Sequence, residues 1–226
     1  MESFLEYKFN NDKLIETALT HSSYAHESKH GDIENNERLE FLGDAVLELV
    51  ISSFIFDKFP ELPEGELTKL RASVVCESSL AKKAKEIGIG DRIKLGKGEE
   101  NTGGRYRDSI LADAFEAVIG AIYLDGGIES AGKYIIEIME ESIFHMRKIF
   151  RMSDCKTYLQ EIVQKYSREP IEYLIVDESG PAHNKLFVVN IFHNGKILGK
   201  GSGKSKKEAE QNAALDAVKH FEDELL

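Results

Sequence analysis

The feature that most constrains this chain is a pair of apolar helical segments that each carry closely spaced carboxylates. The first comprises residues 36–49. The apolar residues at the three- and four-residue spacing of a buried helical stripe are Leu39, Leu42, Val46, Leu49 and the following Val50. A second stripe of the same segment holds three acidic residues: Glu37, Glu40 and Asp44. Because neighbouring negative charges repel one another, this stripe is either a solvated acidic face or a site for a hard divalent cation, which prefers carboxylate oxygens.

The second acidic segment favours the metal site over the solvated face. Residues 108–121 are nearly all apolar or small, yet Asp113 and Glu116 stand three residues apart within them. Charged side chains on a buried helix are rare unless they are paired or bind a metal, whereas Asp108 precedes the apolar run and is interpreted as the helix N-cap. Two helices with close carboxylates predict a Mg²⁺ site where they face each other. No Cys or His ligand cluster accompanies them, which argues against zinc.

The composition indicates a folded protein without a membrane span. Of the 226 residues, 42% are hydrophobic, which is enough for a core, and no run of about 18 apolar residues occurs. Residues 1–6 lack the basic start and apolar stretch of a signal peptide. The two cysteines, Cys76 and Cys155, lie in unrelated contexts, as in a reducing compartment. We therefore expect a cytoplasmic protein that does not enter a membrane.

The chain is predicted to contain two domains with different patterns. Residues 1–148 show helical periodicity and no alternating strand pattern, which predicts an all-helical domain, followed by a linker at 149–153. The elements expected in the second domain, 154–223, are a helix at 157–166, strands at 171–176, 185–192 and 196–200, and a helix at 205–221. Asn194 and Gly195 predict a tight hairpin turn between the last two strands. The predicted fold class is therefore an all-helical domain followed by a small α-β-β-β-α domain.

The charge distribution bears on a nucleic-acid partner. The net charge is −11, which is unusual for a protein that binds a phosphate backbone. Residues 196–207, however, contain five lysines and no acidic residue. Ser205 and Glu208 match a capping box at the start of the last helix, where free amides already favour phosphate. The lysines closest to this helix start are Lys204, Lys206 and Lys207. This local patch predicts contacts to the phosphate groups of a nucleic acid.

The same turn shares only part of the pattern of a nucleotide-binding phosphate loop. Residues 199–205 follow a strand and open a helix, but the motif Gly-x-x-x-x-Gly-Lys-Ser requires glycine at the position of Leu198. The flanking strands are also predicted to form an antiparallel hairpin rather than a parallel sheet. We therefore expect the lysines to bind a nucleic-acid backbone and expect no nucleotide cofactor.

Three blocks of the helical domain resemble the bacterial ribonuclease III family. They are residues 19–24 (LTHSSY), 36–47 (NERLEFLGDAVL) and 103–117 (GGRYRDSILADAFEA). The second domain resembles the double-stranded RNA-binding domain, including residues 205–214 (SKKEAEQNAA). Several blocks in a fixed order are far more specific than one short motif, and the resemblance covers nearly the whole chain.

The resemblance implies a homodimeric, Mg²⁺-dependent endonuclease, with Mn²⁺ as an alternative ion, that cuts double-stranded RNA. It implies products with 5′-phosphate and 3′-hydroxyl ends and short 3′ overhangs, and a role in processing ribosomal and other structured RNA precursors. The implied metal ligands are Glu40, Asp44, Asp113 and Glu116, of which Asp44 and Glu116 are also the implied catalytic residues. The residues implied to contact RNA are Glu37, Glu64, Gln160, Gln164, His183, Lys204, Lys206 and Lys207. Phe41 matches a family position at the dimer contact.

Two other functions are compatible with parts of the sequence. A catalytically silent RNA-binding regulator would require a broken set of carboxylates, and the set is intact here. A helical phosphohydrolase that acts on small nucleotides would not need residues 154–226. Glu48 stays open, because it continues the carboxylate stripe one turn further along the helix but is interpreted as surface or dimer-interface charge.

Overall fold

A computed structural model describes residues 5, 7–28, 33–153, 155–181 and 185–223 of the chain. It divides into two compact units, Met1–Met146 and Arg147–Leu226. None of the helices in the described ranges combines the length and apolarity that are needed to cross a membrane.

The first unit is built from α-helices that are joined by short loops. In chain order these are α1 (Asp12–Ala18), α2 (Ser22–Glu27), α3 (Glu37–Lys58), α4 (Glu64–Val74), α5 (Glu77–Glu86), α6 (Lys97–Asn101) and α7 (Asp108–Ser153). Short 3₁₀ turns at Gly90–Arg92 and Gly104–Tyr106 flank α6. Within the part of this unit that the structure describes, the only β-type pairing outside named strands is one bridge between Thr20 and Lys94. The prediction of an all-helical domain is confirmed.

The apolar stripe of α3 lies in the core of this unit. Leu39 and Val46 of the predicted stripe are buried, as are Leu47 and Ile51 outside it. Leu42 and Val50 are half-buried and Leu49 is 61% exposed, so the predicted stripe is only partly correct. Many residues in the first half of α7 are also buried: Ile110, Leu111, Ala114, Phe115, Val118 and Ile119. Burial of an aliphatic or aromatic side chain of this size contributes about 1.5–3 kcal/mol, so these two helices anchor the unit and fix where their polar faces lie.

A glycine interrupts α7 near its middle. Gly127 has φ 75° and ψ −176°, a backbone conformation that a residue with a Cβ rarely adopts. Just before it, the Asp125 carboxylate accepts hydrogen bonds from the Tyr7 hydroxyl and from the backbone amides of Asn10 and Asn11, each at 2.9 Å. These bonds hold the N-terminal segment against the break, and they hold the pKa of Asp125 below its usual value.

The start of α7 corrects one prediction. Asp108 is the first residue of the helix rather than the N-cap before it. Its carboxylate instead accepts a 2.6 Å hydrogen bond from the Lys85 ammonium on α5. An acidic side chain in the first turn still complements the helix dipole, so the residue type suits either position.

The second unit contains a three-stranded antiparallel sheet with two helices. Its elements are α8 (Cys155–Tyr166), β1 (Glu172–Ser179), β2 (Leu186–His193), β3 (Lys196–Gly203) and α9 (Lys206–Asp223), with strand order β1-β2-β3. Asn194 and Gly195 have φ of 50° and 73°, as a type I′ hairpin turn requires. The core lies between the sheet and the helices and includes Leu159, Val189 and Ala213. The predicted α-β-β-β-α fold is confirmed.

Candidate functional site

Three carboxylates from two helices meet in the first unit. Glu40 comes from α3, and Asp113 and Glu116 come from successive turns of α7. One oxygen from each side chain lies within 4.8 Å of the others, and all three residues are half-buried. We call this group the carboxylate cluster. An arrangement of convergent oxygens at this spacing suits a single hard cation.

Two glycines allow the helices to approach closely enough to form the cluster. A Cβ placed on Gly43 of α3 would lie 1.8 Å from the carbonyl oxygen of Glu116. A Cβ placed on Gly120 of α7 would lie 2.3 Å from the carbonyl oxygen of Leu39. The two backbones therefore touch directly beside the carboxylates, a contact that no larger residue permits.

The electrostatics of the cluster are those of uncompensated negative charge. The pKa of Glu116 is raised to about 8, first by burial and then by the charges of Asp44, Glu40 and Asp113 in that order. Burial is also the main cause of the raised pKa of Glu40, followed by the charge of Asp113. The pKa of Asp113 is raised by burial and by the charge of Glu77. Burial and neighbouring negative charge thus disfavour the ionised form of each of the three carboxyls, and a bound cation would counteract this effect.

Asp44 and Glu48 lie outside the cluster but act on it. Asp44 is exposed and does not belong to the group of oxygens within 4.8 Å. Its charge is nevertheless the largest electrostatic influence on Glu116, and Glu48 has a smaller effect of the same sign. The structure thus brings together three of the four residues implied as ligands, with Asp44 nearby.

A histidine that the sequence pattern predicted only to cap or pack also acts on the cluster. His21 is the N-cap of α2, where its Nδ1 accepts a 3.2 Å hydrogen bond from the Ser23 amide. Its charge lowers the pKa of Asp113 against the larger effect of burial. Nothing in the sequence signals this proximity, because residue 21 is more than ninety positions from Asp113.

The other residues that the sequence assigns to the first unit's site are at its surface. Glu37, the first residue of α3, is exposed, and its charge also raises the pKa of Glu40. Glu64, the first residue of α4, is exposed and accepts a 3.2 Å hydrogen bond from the Thr68 hydroxyl. Phe41 is 80% exposed beside Glu40, which leaves a large aromatic ring in contact with solvent in the single chain.

The residues assigned to RNA contact in the second unit are also exposed. Gln160 and Gln164 lie one turn apart on α8, and Lys204, Lys206 and Lys207 surround the start of α9. The Lys206 ammonium lies 5.9 Å from the centre of the Phe187 ring. His183 lies outside the described residues.

The cap of α9 differs in one bond from the predicted capping box. The Ser205 hydroxyl accepts a 3.2 Å hydrogen bond from the Glu208 amide, as the motif requires. The Glu208 carboxylate, however, accepts its 2.7 Å bond from the amide of Lys204 rather than from that of Ser205. The Glu208 carboxylate is therefore bonded to a backbone amide, and the three nearby lysines are exposed.

Together, the fold and the carboxylate cluster define a class of protein: a helical nuclease-type domain followed by a domain of the double-stranded RNA-binding type. A family model described as Ribonuclease-III-like matches residues 11–142. A model described as a double-stranded RNA binding motif matches residues 155–220. The chain belongs to the ribonuclease III family.

Similar proteins extend over nearly the full chain. The protein named Ribonuclease 3 from Desulforamulus reducens is 51% identical over 222 residues, 98% of this chain and 90% of the relative. A Bacillus cereus protein of the same name is 51% identical over 96% of this chain and 88% of the relative.

Two solved structures are similar to this chain, one over about three fifths of its length and the other over nearly all of it. The nuclease domain of ribonuclease III from Campylobacter jejuni, described as flexible in a region involved in dimer formation, has 47% sequence identity. It covers 61% of this chain and 92% of its own, with a TM-score of 0.56. Dicer from Pichia stipitis has 29% identity over 94% of this chain and 96% of its own, with a TM-score of 0.50.

Proposed function

We propose that this protein is a Mg²⁺-dependent endoribonuclease that hydrolyses phosphodiester bonds in double-stranded RNA, with Mn²⁺ as an alternative ion. The observation that carries the proposal is the carboxylate cluster of Glu40, Asp113 and Glu116, whose oxygens converge within 4.8 Å. The cluster occurs in a chain whose second unit matches a double-stranded RNA binding motif.

The donor set fits a hard divalent cation. All the ligand atoms of the cluster are carboxylate oxygens, which Mg²⁺ and Mn²⁺ prefer. Three half-buried acids with raised pKa values are costly to ionise together, and a bound cation would offset that cost. A cation held there by Glu40, Asp113 and Glu116, with Asp44 as a fourth candidate ligand, would lower the pKa of a bound water and neutralise charge on the scissile phosphate.

The protein's own side chains are assigned distinct roles. Asp44 is exposed at the edge of the cluster, where its carboxylate can accept a hydrogen bond from water that approaches the phosphate. Glu116 is the most perturbed acid of the cluster, and we assign it as the second catalytic residue. Exposed Glu37 and Glu64 are proposed to contact the RNA next to the cleaved bond.

The second unit is proposed to hold the duplex. Lys204, Lys206 and Lys207 would contact phosphates across the major groove, while Gln160 and Gln164 would reach 2′-hydroxyls in the minor groove. His183 is proposed to join the minor-groove contacts. These interactions position the duplex without reading its sequence.

The proposed assembly and reaction products are those implied by membership of the ribonuclease III family. Two copies are proposed to pair through the surface that exposes Phe41, so that each copy cuts one strand. The products would carry 5′-phosphate and 3′-hydroxyl ends with short 3′ overhangs, as in the processing of ribosomal and other structured RNA precursors.

We propose domain limits of 1–148 and 154–223 with a linker at 149–153. A cytoplasmic location is proposed from the cysteine usage, because Cys76 and Cys155 lie in unrelated sequence contexts, as in a reducing compartment.

The test is cleavage of a long, uniformly labelled RNA duplex in MgCl₂ against three other substrates: duplex DNA, single-stranded RNA and single-stranded DNA. We expect cleavage of duplex RNA alone, and end-specific enzymatic labelling should detect 5′-phosphates on the products. Equal cleavage of single-stranded RNA, or undiminished cleavage in excess EDTA, would contradict the proposal.

A further inference from the structure

The contact between α3 and α7 involves the peptide segments that carry the cluster. Next to a Cβ built on Gly43, the closest atom is the carbonyl oxygen of Glu116 itself, at 1.8 Å, and the Gly120 nitrogen lies at 2.9 Å. Next to a Cβ built on Gly120, the closest atom is the carbonyl oxygen of Leu39, the residue before Glu40, at 2.3 Å. The two helices therefore meet backbone to backbone at the level of the carboxylate cluster.

Side-chain rotation cannot relieve an obstruction at this contact. The atoms nearest to either added Cβ belong to the main chain, so a methyl group would have to push the helices apart. Reaching an ordinary carbon–oxygen separation requires an opening of about 1 Å at Gly120 and about 1.5 Å at Gly43. Because Glu40 lies on α3 and its partners lie on α7, the same opening widens the cluster.

The metals differ in how much widening they tolerate. Mg²⁺ requires oxygens at about 2.0–2.1 Å in near-ideal octahedral geometry, so two oxygens on one Mg²⁺ are at most about 4.2 Å apart. Ca²⁺ accepts about 2.3–2.6 Å in flexible geometry, which allows up to about 5.2 Å. The cluster oxygens lie within 4.8 Å of one another. An opening that moves Glu40 away from α7 would therefore take its oxygen further beyond the Mg²⁺ span than beyond the Ca²⁺ span, so Mg²⁺ binding should suffer more.

We propose that Gly43 and Gly120 are positioning residues that set the spacing of the carboxylate cluster and thereby its preference for Mg²⁺ over Ca²⁺. The inference rests on the proposed metal-dependent function and deepens it. The glycines touch neither metal nor RNA in this account; they act through Glu40 and Glu116.

The test compares the full-length Gly43→Ala and Gly120→Ala variants with the wild type by calorimetric titration with MgCl₂ and with CaCl₂. Gly132→Ala is the matched control, because Gly132 also lies in α7, beyond the break at Gly127, and among the described residues its added Cβ would meet only Val50 Cγ2, at 4.0 Å. We expect the Mg²⁺ affinity to fall about 10–100-fold in both test variants, as when a ligand is misplaced. The Ca²⁺ affinity should fall several times less, and Gly132→Ala should match the wild type.

A rescue variant guards against a merely structural effect. Asp113→Glu adds one methylene, about 1.3 Å of reach. It should recover part of the Mg²⁺ affinity in the Gly120→Ala background, although it lowers affinity in the wild type. Circular dichroism at 10 °C checks the folding of every variant first.

The outcomes separate the inference from the proposed function. Equal losses for Mg²⁺ and Ca²⁺, unchanged affinities or no rescue would each overturn the inference. If neither glycine variant folds, with or without Asp113→Glu, the contact serves the fold as a whole and the inference also falls. If the wild type binds neither metal, the proposed metal-dependent function is what fails.

Discussion

The raised pKa of Glu116 makes a quantitative prediction about metal binding. Its carboxyl has a pKa of about 8 without a cation, chiefly because it is buried and secondarily because Asp44, Glu40 and Asp113 repel its charge. A metal ligand must be deprotonated, so the cation competes with a proton at this residue. At pH 7 about nine in ten molecules carry that proton, and binding should release close to one proton per metal ion.

The same competition fixes the pH dependence of affinity. Below pH 8 the apparent Mg²⁺ affinity should fall by about tenfold per pH unit, or about 50-fold between pH 8 and pH 6, from Glu116 alone. Glu40 and Asp113 have pKa values shifted in the same direction, so they can only steepen this dependence.

Calorimetric titration in two buffers of different ionisation enthalpy measures both the affinity and the number of protons released. Glu116→Gln is the control, because it cannot ionise and should bind Mg²⁺ more weakly with a flatter pH dependence. An affinity that is constant from pH 6 to pH 8, or a binding event without proton release at pH 7, would refute the reasoning.

Three further predictions concern stability, assembly and RNA binding. Because the folded pKa of Glu116 lies above its unfolded value, the metal-free protein should lose stability as pH rises from about 4.5 to 8; urea unfolding should show this loss, added Mg²⁺ should reverse it, and a metal-free stability that rises over this range would contradict it. Phe41→Ala should weaken the proposed dimer, by less than the ~3–5 kcal/mol that truncation of a core Phe costs; sedimentation showing an unchanged dimer at low concentration would count against the contact. Replacing Lys206 and Lys207 together by alanine should lower duplex affinity equally across sequences and reduce its log–log salt slope by roughly 0.9 per contact; an unchanged slope would mean that these lysines are merely solvated.

The sequence predicted the elements of the fold well, because their signals are local. The stripe of Leu39 and Val46 identified the buried face of α3, and Asn194-Gly195 identified the hairpin. Element ends were less accurate: β3 runs to Gly203 rather than 200, because the glycines of its last residues pack against the backbone of α9 instead of ending the strand. The prediction of Asp108 as an N-cap was wrong. Its ion pair with Lys85 depends on a contact between two helices, which the local sequence does not reveal.

The candidate site was predictable in its residues but not in its geometry. The spacing of Glu40, Asp113 and Glu116 placed them on two helical faces, whereas their convergence depends on the contact at Gly43 and Gly120. That contact involves residues 77 positions apart, and a glycine within a helix gives no signal of its partner. The influence of His21 on Asp113 was missed for the same reason.

The central claim is that the carboxylate cluster performs the cleavage while a separate surface holds the RNA. The most direct test is single-turnover cleavage of a duplex RNA by Glu116→Gln at saturating enzyme and Mg²⁺, with duplex affinity measured on the same preparation. The substitution is nearly isosteric and removes one negative ligand, so we expect unchanged duplex affinity and a cleavage rate lowered by at least about 100-fold, equivalent to about 2.7 kcal/mol. Cleavage at the wild-type rate by a folded Glu116→Gln protein would contradict the claim.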